Sequence, residues 1–199
     1  CIRDRVPTVS SFYPERGPTS GSTEVVISGS NLGLASHYKC RFGALEVAAS
    51  YDAEGGTIHC ASAAQPNGSR PLEVSLNAQQ FTTSAVPFTF YTPPRVSLVT
   101  PDAGPTAGST LVRLYGAGLD AGADYRCRFG ESVVAATFHN STVVCTLPAI
   151  ACSNASCGIG LSVAINGQQF SMPAGFALYA PTALASASPT PLYTGNGEA

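Results

Sequence analysis

The chain has no tryptophan, one methionine and a single lysine, Lys39, among its ten basic residues. Charged residues make up 11%, well below the quarter usual in globular proteins, and the formal net charge is −2. A nucleic-acid binder normally carries a basic footprint, and none exists here. No apolar run approaches the ~18–20 residues that cross a bilayer, so the segment predicts no membrane insertion. CxxC, HExxH, a nucleophile elbow and a phosphate-cradling glycine loop are all missing. The three histidines, His37, His59 and His139, do not recur at matching positions of the internal repeat, and His139 aligns with Asp52. Glu15 and Asp102 do match, but one acid per copy falls far short of the six to eight oxygens a calcium ion takes. These absences predict a chain that is not an enzyme, with no catalytic residues, no metal and no cofactor.

What is present is a duplication. "YKCRFG" at 38–43 returns as "YRCRFG" at 125–130. With an offset of 87, residues 9–51 match 96–138 without a gap, and 20 of those 43 positions are identical. The register then drifts by a residue or two: Cys60 meets Cys145, "SLNAQQF" (75–81) meets "AINGQQF" (164–170), and "FTFYTPP" (88–94) meets "FALYAPT" (176–182). "LASASPTP" (184–191) echoes "VSLVTPDA" (96–103), which predicts the start of a third copy, and "CIRDRVP" predicts a piece cut from a longer protein. The expected organisation is a linker over 1–6, domains over 7–92 and 93–181, and a truncated third repeat over 182–199.

Each copy carries strand signals. Val25 and Ile27 flank Val26, which becomes Arg113 between Val112 and Leu114, so the middle position faces outward. Short β-rich runs separated by Gly, Pro, Asn and Ser predict strands near 8–12, 23–29, 37–42, 45–51, 57–61, 71–76 and 86–91. Seven short strands in about 87 residues predict an all-β immunoglobulin-like sandwich. If Cys40 and Cys127 point inward, Lys39, Arg41, Arg126 and Arg128 face solvent. "NGQQF" (166–170) predicts a hairpin turn, and "PERGPTSGST" and "PDAGPTAGST" predict loops in which Pro fixes φ and Gly frees it.

The seven cysteines stand at 1, 40, 60, 127, 145, 152 and 157. In an oxidising compartment they read as disulfides, in a reducing one as thiols or metal ligands. Cys152 and Cys157 bracket an insertion, "CSNASC", that the first copy lacks, the pattern of a local staple. Three N-x-S/T sequons, at Asn67, Asn140 and Asn154, lie in predicted loops, where N-linked glycans are tolerated. "SPTP" (188–191) is a turn that O-linked sugar would also suit.

The ordered series "PxxGPTxGST" with "VxIxGxNL", "YxCRFG", a cysteine closing the next strand, and "NGQQF" before a final "FxFY" resembles the IPT/TIG domain. This is the early-set immunoglobulin-like fold shared by plexins, scatter-factor receptors, fibrocystin-like surface proteins and some transcription factors. The resemblance covers roughly 7–181 and implies tandem β-sandwiches without catalytic residues. It also implies the pairs Cys40–Cys60 and Cys127–Cys145. Cys1 has no partner left in this segment, and its expected partner is a preceding domain. The expected role is a non-catalytic extracellular or cell-surface module of the secretory pathway, structural or adhesive. Its partners would be other proteins or copies of itself, met through sandwich edges and loops, and "YTPPR" (91–95) would be a stiff linker. Two alternatives are a ligand-binding ectodomain of a plexin-like receptor and a carbohydrate-binding accessory module. Lack of Trp weakens the latter.

Overall fold

The computed structural model describes residues 6–33, 35–83 and 86–181, and Cys1, most of the 1–6 linker and the predicted third repeat lie outside them. Among the described residues every regular element is a strand.

The first domain contains β1 (Thr8–Tyr13), β2 (Arg16–Pro18), β3 (Glu24–Ser30), β4 (Lys39–Phe42), β5 (Leu45–Ala48), β6 (Ser50–Asp52), β7 (Thr57–Ala61), β8 (Gly68–Ser75) and β9 (Val86–Tyr91). They form two sheets, β1-β3-β7-β6 and β2-β9-β8-β4-β5. Antiparallel strands with one face on a core alternate inward and outward side chains. Val25 and Ile27 are fully buried here, with Val26 between them turned out. Phe42, Phe88 and Phe90 fill the middle of the sandwich in edge-to-face contacts, centroids 4.9–6.1 Å apart.

The second domain repeats the plan with β10 (Arg95–Thr100), β11 (Ala103–Pro105), β12 (Leu111–Ala117), β13 (Arg126–Phe129), β14 (Ser132–His139), β15 (Thr142–Thr146), β16 (Ser156–Ala164) and β17 (Ala174–Tyr179). Here β14 runs unbroken and pairs with β13 at one end and β15 at the other, joining both layers into a single eight-stranded order. The first domain divides the same stretch into β5 and β6 at Ala49. Each domain has its own core, around Phe42 and Phe88 in one and around Phe129, Leu161 and Phe176 in the other.

The sequence predicts seven strands for the first copy and the structure has nine. One addition is the break at Ala49. The other is β2, inside the stretch read as a loop, where Arg16–Pro18 runs parallel to β9. Ala103–Pro105 does the same against β17. Proline is tolerated because β2 and β11 are edge strands. The remainder of the segment turns as expected. Gly21 and Gly108 have φ of 77° and 81°, and a Cβ on either would sit 2.6–2.8 Å from backbone atoms of the facing loop.

Candidate interaction surface at the domain junction

Four of the six paired cysteines staple the layers. Cys40 bonds Cys60 with S–S 2.07 Å, and Cys127 bonds Cys145 with S–S 2.14 Å. Each bridge ties the middle of one sheet to the other, since β4 and β13 lie in one layer and β7 and β15 in the opposite one. All four sulfurs sit in the core, with Cys40 and Cys127 fully buried. Cys152 bonds Cys157 across five residues, at the mouth of β16. Asn67, Asn140 and Asn154 are exposed, each in a loop or turn outside the strands.

The cations flanking the buried cysteines point outward but are not simply solvated. Arg41 donates from Nε and Nη2 to Glu73 at 2.9 and 2.6 Å, and its guanidinium lies 4.1 Å from the ring centroid of Phe81. Arg128 lies 4.5 Å over Phe170. "CRFG" and "QQF" are thus two halves of one repeated cation–π contact, worth about 0.5–1 kcal/mol at an exposed site. The tyrosine of the same phrase organises the preceding loop. Tyr125 Oη donates to the Leu119 carbonyl at 2.8 Å and accepts from the Gly122 N–H, while its ring stacks on Phe138. Tyr38 accepts from the Ala35 N–H and stacks on Tyr51.

The two domains meet end to end, and the contact is polar. In the second domain the Asn166 Oδ1 accepts the Gln168 and Gln169 N–H groups, both at 3.2 Å, and Gly167 takes φ of 75°. This turn aims both glutamine side chains at the first domain. Gln168 Oε1 accepts the Glu24 N–H at 3.0 Å and its Nε2 donates to the Glu24 carbonyl at 2.9 Å. The last pair between β1 and β3 is Tyr13 with Val26, so Glu24 lies beyond the end of β1. The amide of Gln168 therefore pairs with an open strand edge as a backbone would. Gln169 Nε2 donates to the Ser22 carbonyl at 2.8 Å, and Thr23 Oγ1 donates to Gln169 Oε1 at 3.2 Å. Thr23 is fully buried and Asn166 is 1% exposed.

Two further contacts flank this clamp. Arg16 Nη1 donates to the Ala121 carbonyl at 2.6 Å, and Tyr13 Oη donates to Asp124 Oδ2 at 2.7 Å. Arg126 also donates to Asp124, and with Tyr13 it holds that carboxyl below its usual range. The same hydrogen bond, with burial, raises the Tyr13 phenol. Tyr91 is 4% exposed and its hydroxyl has no protein partner among the described residues, and burial drives its pKa upward. Beside the linker lies an open cleft of about 550 Å³, lined in part by Pro93, Arg95, Phe170 and Met172. Among the described residues no three His, Cys, Asp or Glu side chains cluster as metal ligands would. The sequence of "NGQQF" predicts a turn alone; the doubled glutamine, written in both copies, is the signal of a docking element.

The model of the IPT/TIG domain matches this chain twice, over residues 7–90 and 94–178. Plexin-A2 of Mus musculus is 32% identical over 150 residues, covering 72% of this chain and 8% of plexin-A2. Plexin-B3 of Rattus norvegicus is 31% identical over 134 residues, covering 63% of this chain and 7% of its own. The chain thus spans less than a tenth of the length of these curated relatives. A solved structure of the full extracellular region of plexin A4 superposes with TM-score 0.63 at 20% identity, over 82% of this chain and 15% of that one.

Proposed function

This chain belongs to the IPT/TIG domain family, and from two such domains in tandem we propose a non-catalytic extracellular module that holds contact surfaces for other proteins in a fixed relative orientation. The observation that carries the reading is the junction. Among the described residues seven direct hydrogen bonds cross it, including the Gln168 pair on Glu24, the Gln169 pair on Ser22 and Thr23, and the Arg16 and Tyr13 contacts. "YTPPR" restricts the same hinge through its two prolines. The boundaries proposed are 7–92 and 93–181.

Disulfides support a secreted or cell-surface location, because such bonds persist in oxidising compartments. Exposure of Asn67, Asn140 and Asn154 makes each accessible to N-linked glycosylation. Intact mass of protein from its native source, with and without reductant and glycosidase, tests both. Six cysteines protected until reduction, and at least one glycan released, are expected. Fully reduced and unglycosylated protein would overturn the extracellular reading.

A second reading, ligand binding within a plexin-like signalling receptor, is favoured by identities of 31–32% to plexins. The full-length transcript distinguishes the two: a membrane span followed by a signalling domain supports the receptor, and further repeats alone support the scaffold.

A further inference from the structure

The linker and the loop that follows the second glutamine turn border a cleft of about 550 Å³, within the size range of ligand-binding clefts. A smaller hollow of about 80 Å³ adjoins it and shares Pro93, Pro94, Phe170 and Ser171. Tyr91 lines that hollow, is 4% exposed, and its Oη has no partner among the described residues. A buried hydroxyl is normally paired, so this one is poised to donate to whatever enters. Met172 borders the cleft at 87% exposure, too open to serve as packing for its own domain.

The two copies differ in the residues around this cleft. Thr82 and Ser171 are equivalent, since the hydroxyl of each accepts a strand N–H, from Val74 in one copy and Val163 in the other. The residues that follow are Thr83 and Ser84 in the first copy and Met172 and Pro173 in the second. Arg95 takes the position of Thr8. Arg41, which lies over Phe81, is neutralised by Glu73, whereas Arg128, over Phe170, faces Ser162 across the same pair of strands. The second copy has gained two apolar residues and a cation, and lost an anion, around Phe170 and the cleft it lines.

No Asp or Glu lines the cleft or the hollow, and among the described residues neither Arg95 nor Arg128 forms an ion pair. The guanidinium of Arg95 and the hydroxyl of Tyr91 offer donors without matching acceptors. A ligand that suits them supplies oxygen acceptors and negative charge. Phe170, Met172 and Pro173 call for an apolar body beside that charge.

We propose that the cleft binds a segment of a partner protein in which an acidic residue is flanked by aliphatic ones. The carboxylate meets Arg95, a carbonyl of the segment accepts from Tyr91 Oη, and an aliphatic side chain covers Phe170 and Met172. The proposal deepens the reading of the chain as a contact module and rests on it. Because Tyr91 comes from the first domain and Phe170 from the second, a fixed junction keeps the two halves of the cleft together.

The test uses the full chain labelled at its single methionine, so that one methyl resonance reports Met172 alone. The probe is the peptide acetyl-Leu-Glu-Leu-amide, with Gln or Lys in place of Glu as controls. The Glu peptide should shift the Met172 methyl and the Arg95 and Phe170 amides saturably. The Gln and Lys peptides should bind at least about tenfold more weakly. Arg95→Gln should remove the preference for Glu. Tyr91→Phe, which deletes only an unpaired hydroxyl, should weaken binding while core resonances hold. Equal binding of the three peptides, or no Met172 shift at about 10 mM peptide, would overturn the proposal. Unaltered binding in either variant would do the same. None of these outcomes alters the disulfide and glycan readout above, so failure here is distinct from failure of the extracellular reading.

Discussion

The two domains share a plan and differ in where they spend their variation. The first packs Phe12, Phe42, Phe88 and Phe90 into one aromatic cluster. The second keeps only Phe129 and Phe176, with Val99 and Leu178 at the other two places. By contrast, the layer-bridging disulfide, the Arg-over-Phe contact and the asparagine-anchored turn are kept in both. The core tolerates exchange of one apolar shape for another provided volume is filled. The stapling and turn chemistry tolerates none, because each of those elements needs two specific groups at one distance. The second domain departs further in the "CSNASC" insertion, which the first lacks.

The largest effect should come from the ring common to both cores. Phe42→Ala and Phe129→Ala should each cost about 3–5 kcal/mol in denaturant unfolding. The first should be the worse, because Phe42 loses contacts to two rings and Phe129 to one. Equal or reversed costs would break the claim that the aromatic cluster is the first domain's particular source of stability.

Next come the staples. Replacing Cys40 and Cys60 by Ala, or Cys127 and Cys145, should each cost about 3 kcal/mol on the chain-entropy account, since the loops close over nearly equal separations of 20 and 18. Removing Cys152–Cys157, which closes a separation of five, should cost about 2 kcal/mol. A cost for the short staple equal to that of the long ones would show that the insertion organises more of the second domain than its own loop.

Smaller in stability, but sharper in geometry, is the clamp. Gln168→Ala with Gln169→Ala should leave the unfolding of each domain within about 0.5 kcal/mol and free their relative orientation. Gln79→Ala with Gln80→Ala in the same chain should leave that orientation fixed. Small-angle scattering of the two variants separates these outcomes.

The smallest expected effect is a pH dependence confined to the junction. Asp124 has a lowered pKa in the folded protein. It therefore contributes fully above its unfolded value of about 3.9, and that contribution is lost as pH falls through the folded value. Tyr13 has a raised pKa, so its contribution is complete below about 10 and is lost as pH climbs through the folded value. Chemical-shift titration of both domains should show junction resonances moving below pH about 4 while core resonances hold. Asp124→Asn should abolish the acid transition.

The sandwich could be read from sequence because its signals are local and written twice. Alternation at Val25–Ile27 and Val112–Leu114 appears directly as burial. What escaped was non-local. Arg16–Pro18 and Ala103–Pro105 look like turns because a three-residue strand containing proline has no periodicity, and only pairing with β9 and β17 defines it. The break at Ala49 sets β5 and β6 apart where β14 runs through, although both copies keep Val-Ala-Ala there, at 47–49 and 134–136. Arg41 and Arg128 were legible as outward-facing, yet their partners Phe81 and Phe170 lie about 40 residues away. The junction was hidden most deeply. Gln168 acts on the backbone of Glu24, and a backbone group leaves no mark in a sequence.

The central claim is that a glutamine turn locks two stapled sandwiches into one body. Residual dipolar couplings measured on the full chain address it most directly. A single alignment tensor should fit both domains, and Gln168→Ala with Gln169→Ala should split it in two. Two different tensors in the unsubstituted protein would contradict it.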